Sequence, residues 1–190
     1  RIFLKIFLAT NNNNKKIEIK SIFCSISNEF EIVDDYFTDI EETSDTLEGN
    51  ALLKAEHGYK QSGIPTISDD TGLFVPALGN EPGVKSKRYF SETATDEENL
   101  NFLLSNLDED SDRTAYFKTV VCFSDGKNVI FEEGKIEGQI SKAPLGNNGF
   151  GYDPIFVFNG RTLAQMDSNE KNEISHRKSA FMKIAKALLR

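Results

Sequence analysis

Residues 113–140 constrain the fold more than any other stretch. Residues 113–123 alternate, with Ala115, Phe117, Thr119, Val121 and Phe123 on one side, which is the period of a half-buried strand. Asp125-Gly126 is a hairpin turn signal. Residues 128–140 return as a second strand, with Gly134 and Gly138 as the places where it can bend. A long antiparallel hairpin makes the sheet mixed and argues against a plain doubly wound parallel fold. The chain nevertheless starts in the α/β manner. Residues 2–9 are mostly apolar, as in a strand buried on both faces. Residues 10–14 form a polar loop, and Lys15-Lys16 opens a helix with Ile19, Ile22, Phe23 and Ile26 at helical spacing. Such a loop presents a helix N-terminus where an anion can sit. It is not a Walker A motif, because it lacks the glycines and the Gly-Lys-Ser/Thr ending. Four consecutive asparagines fit low-complexity drift equally well.

The chain of 190 residues fits a single domain over 1–190. Its net charge of -8 argues against sequence-independent binding to a nucleic-acid backbone, though not against a local basic pocket. Cys24 and Cys122 each lie in an apolar run and read as buried reduced thiols. The first eight residues are too short and too interrupted to span a membrane. Lys5 also breaks any signal-like run, so the reading is a core strand of a cytoplasmic protein.

The stretch Thr66-Ile67-Ser68-Asp69-Asp70-Thr71-Gly72-Leu73 reads as a strand that ends or bends at an acidic tip. Alone it reads more as an acidic turn than as a cation site. Its neighbours favour the cation. Residues 46–61 read as a helix closed by Gly63, with Leu47, Ala51, Ala55 and Gly58 on one face. That helix carries Asn50 and Lys54, one turn apart, and follows the Glu41-Glu42 pair. Carboxylates with a lysine suit a metal and a phosphate together. Further on, Thr95 to Glu98 forms a capping box ahead of Leu100, Leu103, Leu104 and Leu107. Gly149-Phe150-Gly151-Tyr152-Asp153 offers glycines for close approach and aromatic faces for a base. The stretch 171–178 opens a last helix with Ser175 at its N-cap. His176 and Arg177 then fall in the first turn, where the macrodipole disfavours cations unless an anion binds.

Taken in order, these segments resemble the inosine triphosphate pyrophosphatase family (Ham1-like, non-canonical purine dITP/XTP pyrophosphatases). The resemblance rests on Leu8-Ala9-Thr10 to Lys15, Asn50-Ala51-Leu52-Leu53-Lys54-Ala55, residues 67–73, 78–89 and 149–154, and Ser175-His176-Arg177. It implies an elongated mixed β-sheet flanked by helices, with two lobes around a central substrate cleft. It implies hydrolysis of ITP, dITP or XTP to the monophosphate and pyrophosphate with Mg2+, or Mn2+ in its place, and a homodimer. Thr10, Asn12 and Lys15 match the triphosphate loop, Lys54 the catalytic or phosphate-orienting lysine, and Asp70 the metal ligand and general base with Asp69 beside it. Glu41 or Glu42 matches the other metal ligand. Thr71 stands for the more frequent Ser. Phe150, Gly151, Tyr152 and Asp153 match the base loop, and Lys171, His176 and Arg177 the remaining contacts. Two positions depart from the pattern: Asn11 replaces the usual glycine and Gln165 a frequent Glu. The alternatives are a Maf-like pyrophosphatase acting on pyrimidine or modified nucleotides, and a nucleotide-binding protein without turnover.

Overall fold

The computed structural model describes residues 3–190, so the start of the expected first strand at Ile2 lies outside the described residues. The elements are β1 (Leu4–Leu8), α1 (Asn13–Ile26), β2 (Phe30–Val33), α2 (Leu47–Ser62), β3 (Thr66–Val75), β4 (Glu81–Gly83), α3 (Asp96–Ser105), β5 (Thr114–Ser124), β6 (Val129–Ile140), β7 (Phe156–Phe158), β8 (Arg161–Thr162), α4 (Ser168–Glu173) and α5 (His176–Leu188). The strand order is β2-β1-β3-β5-β6-β7-β8, with β4 on β3. β1 is parallel to β2 and β3, whereas β3–β4, β6–β7 and β7–β8 are antiparallel. The mixed sheet expected from the hairpin is therefore present. Asp125 closes that hairpin by accepting from the amides of Lys127 and Asn128 at 2.9 and 2.6 Å.

The chain divides into two compact units. The first comprises residues 1–71, 119–134 and 176–190. Its larger core joins Ile6 and Leu8 of β1, Ile67 of β3 and Val121 and Phe123 of β5 to Ile19, Ile22 and Phe23 of α1 and to Phe181, Ile184 and Ala185 of α5. Each such large side chain contributes about 1.5–3 kcal/mol on burial. The opposite side of β1 packs Phe7 and Ala9 with Phe37. The second unit comprises residues 72–118 and 135–175. Its core gathers Leu73, Val75, Leu100, Leu103, Phe117, Ile140, Tyr152, Phe156 and Leu163. The Thr95–Glu98 capping box forms as expected.

Four expectations change. β3 does not end at the acidic pair; it runs ten residues through Asp69 and Asp70. Low strand propensity is overridden there by tertiary ion pairing. α1 begins at Asn13, two residues early, because Asn12 accepts the Lys15 amide at 3.1 Å and caps it. The stretch before α5 holds a separate short helix, α4, capped by Asp167 and Glu170. Cys24 is exposed on α1, while Cys122 is buried as expected.

Candidate active site

The pleat of β3 organises the site in the first unit. Successive side chains on a strand point to opposite faces. Ile67 and Asp69 face the side covered by α1 and α5, while the Ser68 hydroxyl donates to the Ala51 carbonyl of α2 on the other side. Asp70 shares the Ser68 side. Two adjacent carboxylates thus meet different surroundings.

Asp69 is only 4% exposed and is met by cations from three helices. Lys15 of α1 donates to its Oδ1 at 2.9 Å. The Arg177 guanidinium of α5 lies 3.8 Å from its Oδ2. Lys54 of α2 donates to its backbone carbonyl at 2.6 Å. Burial works against its charge, but Lys15, Arg177 and Lys54 outweigh that and hold its carboxyl well below the usual range. Burial in turn lowers the Lys15 ammonium, with Asp69 opposing and Arg177 adding to the fall. Lys54 is raised: burial lowers it, and Asp69, Asp70 and Glu42 together prevail.

Asp70 has the opposite fate. Its carboxyl is pushed up to about 6, first by burial and then by Glu42, against the pull of Lys54 and of the Asn50 amide. Its Oδ1 accepts the Thr71 amide at 3.0 Å, and its Oδ2 is buried with no hydrogen-bond partner among the described residues. A carboxyl with a raised proton affinity and a bare oxygen can take a proton near neutral pH. Asp69, held ionised by the cations around it, has little affinity for a proton.

Among the described residues no group of three or more His, Cys, Asp or Glu side chains is arranged to hold a metal ion. The donors nevertheless suit Mg2+, which takes one or two carboxylates and fills its remaining positions with water and phosphate oxygens. The bare Asp70 Oδ2 and the neighbouring Glu42 are two hard oxygens of that kind. Glu42 lies 3.3 Å from Lys54, whereas Glu41 is exposed.

The other expected residues divide by unit. In the first, the Thr10 hydroxyl accepts the Asn12 amide at 3.2 Å at the head of α1. Thr71 shares a 2.7 Å hydroxyl contact with Thr119 of β5. Arg177 also lies 3.8 Å from Glu18. Ser175 occupies the position before α5, and the His176 carbonyl sits where a side chain on Gly134 would collide. In the second unit, Phe150 is 63% exposed, with the Lys171 ammonium 4.7 Å above its ring. Lys171 pairs with Asp153 at 2.5 Å, and Asp153 accepts the Phe150 amide at 3.1 Å. Tyr152 offers no free face: it is core, and its hydroxyl donates to the Ser86 carbonyl at 2.6 Å. Gly151 donates its amide to Asp96 at 2.8 Å.

A sequence profile of the Ham1 family matches residues 6–187. The chain belongs to the Ham1 family. It is 44% identical to a dITP/XTP pyrophosphatase of Thermoanaerobacter sp. (strain X514), covering 98% of both chains. A dITP/XTP pyrophosphatase of Elusimicrobium minutum is 45% identical, covering 97% of this chain and all of the relative. Among solved structures, a HAM1 protein from Coxiella burnetii superposes with a TM-score of 0.92 at 38% identity, covering 98% of this chain and 99% of the other. The Staphylococcus aureus Ham1 protein gives 0.88 at 36% identity, with 97% and 98% covered. The open mixed sheet flanked by helices is thus the Ham1 fold.

Both departures from the Ham1 pattern have local roles. Asn11 accepts the Phe37 amide at 2.9 Å and donates to its carbonyl at 2.6 Å, so the asparagine run is not idle drift. Gln165 accepts the Thr162 amide at 2.9 Å in a capping box, an acceptor role that Glu also fills. Sequence reasoning assigned no role to Asn50, Asp96 or Thr119. Asn50 was marked only by its place one turn from Lys54 and in the segment that carries the resemblance, and Asp96 and Thr119 only as a polar residue at a helix start and in a strand's apolar phase.

Proposed function

We propose that this chain hydrolyses dITP, XTP and ITP to the nucleoside monophosphate and pyrophosphate. The observation that carries the reading is the division of labour on β3. Asp69 gathers Lys15, Lys54 and Arg177 into one cationic group, and Asp70 beside it keeps a bare, proton-seeking oxygen. The names of the relatives support the same reaction and do not favour a Maf-like activity or binding alone.

Lys15, Lys54 and Arg177 bind the triphosphate oxygens and stabilise charge as the bond from the α-phosphorus to its bridging oxygen breaks. Asp70 accepts a proton from the attacking water, and that oxygen joins the α-phosphorus while pyrophosphate leaves. Glu42 and Asp70 would hold Mg2+, with Glu41 the further candidate; the ion when bound neutralises charge on the phosphates. Thr10, Asn12 and Thr71 orient the phosphates. Phe150 offers a stacking face, with Gly151, Tyr152 and Asp153 shaping its loop and Lys171 steadying it. A donor from that loop, or from His176 or Arg177, rewards a 6-keto oxygen, which adenine lacks.

The reading takes residues 1–190 as one catalytic domain, supported by the span of the family match. It includes a homodimer through residues 78–90, supported by the half-exposed Phe90 ring, which sedimentation equilibrium tests. It places the enzyme in the cytoplasm, where the nucleotide pool is; no helix among the described residues is long and apolar enough to cross a membrane. The deciding experiment measures pyrophosphate from dITP, XTP, ITP, GTP and ATP with MgCl2. Release from the first three at roughly a hundredfold or more the ATP rate is expected. No release from any, or equal release from ATP, would overturn the reading.

A further inference from the structure

The segment 39–46 has neither helix nor strand to fix it, yet it carries Glu42. What fixes it is α2. Asn50, with no exposed surface, turns both ends of its amide to Ser44, accepting its amide at 2.9 Å and donating to its carbonyl at 3.3 Å, and its side chain also acts on the Asp70 carboxylate. The same helix turn grips Ser44 by shape, because a β-carbon on Gly49 would strike the Ser44 side chain. The Ser44 hydroxyl also accepts the Thr46 amide at 3.2 Å, and Thr46 caps α2. Two residues before Ser44, Glu42 reaches Lys54, which lies one turn beyond Asn50 on the same helix. Peg and ion partner therefore share one rigid element.

We propose that Asn50 is a positioning residue for Glu42: its amide clamp on Ser44 holds the Glu42 carboxylate where, with Asp70, it meets a divalent cation. A buried amide whose donor and acceptor both go to the backbone of an otherwise unladdered segment replaces the missing ladder bonds. Removing it takes away the backbone hold on Ser44 and leaves Glu42 placed by its flexible pairing with Lys54 and by nearby hydroxyls, and an oxygen ligand that wanders by an ångström loses most of its hold on Mg2+, which demands near-ideal geometry. The clamp serves Glu42, which turns to Lys54, rather than Glu41, which is exposed.

The inference rests on the proposed pyrophosphatase reading, and the experiment keeps the two apart. Mn2+ binding is followed by loss of the free-ion electron paramagnetic resonance signal, with a dITP analogue carrying a methylene bridge between the α and β phosphorus atoms. Analogue binding without metal is measured in parallel. Asn50→Ala should weaken Mn2+ about 10-fold or more while metal-free analogue affinity stays within about twofold. Glu42→Gln should weaken Mn2+ too, and adding Asn50→Ala to it should cost little more, because both act on one ligand. Unchanged Mn2+ affinity in Asn50→Ala, or losses that add in full in the double variant, would overturn the inference. If Asn50→Ala does not fold, Gly49→Ala decides by the same criteria, since its β-carbon displaces Ser44 without removing the amide. Failure of the wild-type protein to bind Mn2+ with the analogue, or to release pyrophosphate from dITP, counts instead against the underlying reading.

Discussion

Asp69 and Asp70 are identical in type and adjacent in sequence, yet replacing each by Asn should move stability in opposite directions. Asp70 has a folded value near 6, above its unfolded value. The folded state thus binds the proton more tightly, and stability is lost as pH rises from about 4 to 6. Asp70→Asn removes that buried charge. At pH 8 it should raise unfolding free energy by up to about 2 kcal/mol, with no gain below pH 4, while pyrophosphate release falls about a hundredfold or more. Asp69 is depressed, so its stabilisation is present above its unfolded value of about 4 and is lost as pH falls further. Asp69→Asn strips the counter-charge from buried cations and should cost about 3–5 kcal/mol at neutral pH. Urea titrations at pH 4 and pH 8 test both. A shared sign at pH 8 would refute the division of roles. The pair itself was legible in the sequence, and the family resemblance alone singled out Asp70 as base. Lys54 was legible beside the pair, but the pairing with Lys15 was not, because Lys15 is 54 residues from Asp69 and meets it only through the fold.

At the scale of elements, the sequence was most legible where local chemistry decides. The hairpin, the capping box at Thr95 and the apolar faces of α1, α2 and α5 follow from periodicity and caps. It was least legible where tertiary contacts override propensity. The sequence around Asp69-Asp70-Thr71-Gly72 is that of a turn, but Gly72 lies against the backbone of Gly83 in β4, and the strand continues. α4 was missed because its capping box leads into a polar run rather than an apolar one. The sequence offers Gly134 as a place for β6 to bend, and its absent side chain also makes room for α5, since a β-carbon there would strike the His176 carbonyl. Gly134→Ala should therefore push out the start of α5, which carries Arg177. The expected cost is about 1–3 kcal/mol, as for other forced insertions into packed structure, together with a several-fold rise in KM for dITP. Guanidinium titration and steady-state kinetics check it. Loss of stability with KM unchanged would mean that α5 yields without moving Arg177.

At the scale of the molecule, the chain carries 30 acidic and 22 basic residues, net -8, yet its first unit gathers three cations around one aspartate. Net charge excluded a broad nucleic-acid surface but could not reveal this local inversion, because composition averages over both units. The two levels respond differently to salt. The ion pairs at Asp69 are buried and weakly screened, whereas the surplus surface carboxylates repel one another across water and are screened within about 10 Å at 0.1 M salt. Added NaCl at pH 8 should relieve surface repulsion while leaving the buried group almost untouched. The melting temperature of the ligand-free protein should thus rise between about 10 and 200 mM NaCl. Near the sequence pI of about 4.9 there is no net charge to screen, and the rise should vanish. Thermal melts on a grid of pH and salt test this directly. A fall in melting temperature with salt at pH 8 would mean that exposed ion pairs such as Lys20–Asp34 and Arg161–Glu170 outweigh net repulsion. That result would contradict the small contribution expected of exposed pairs.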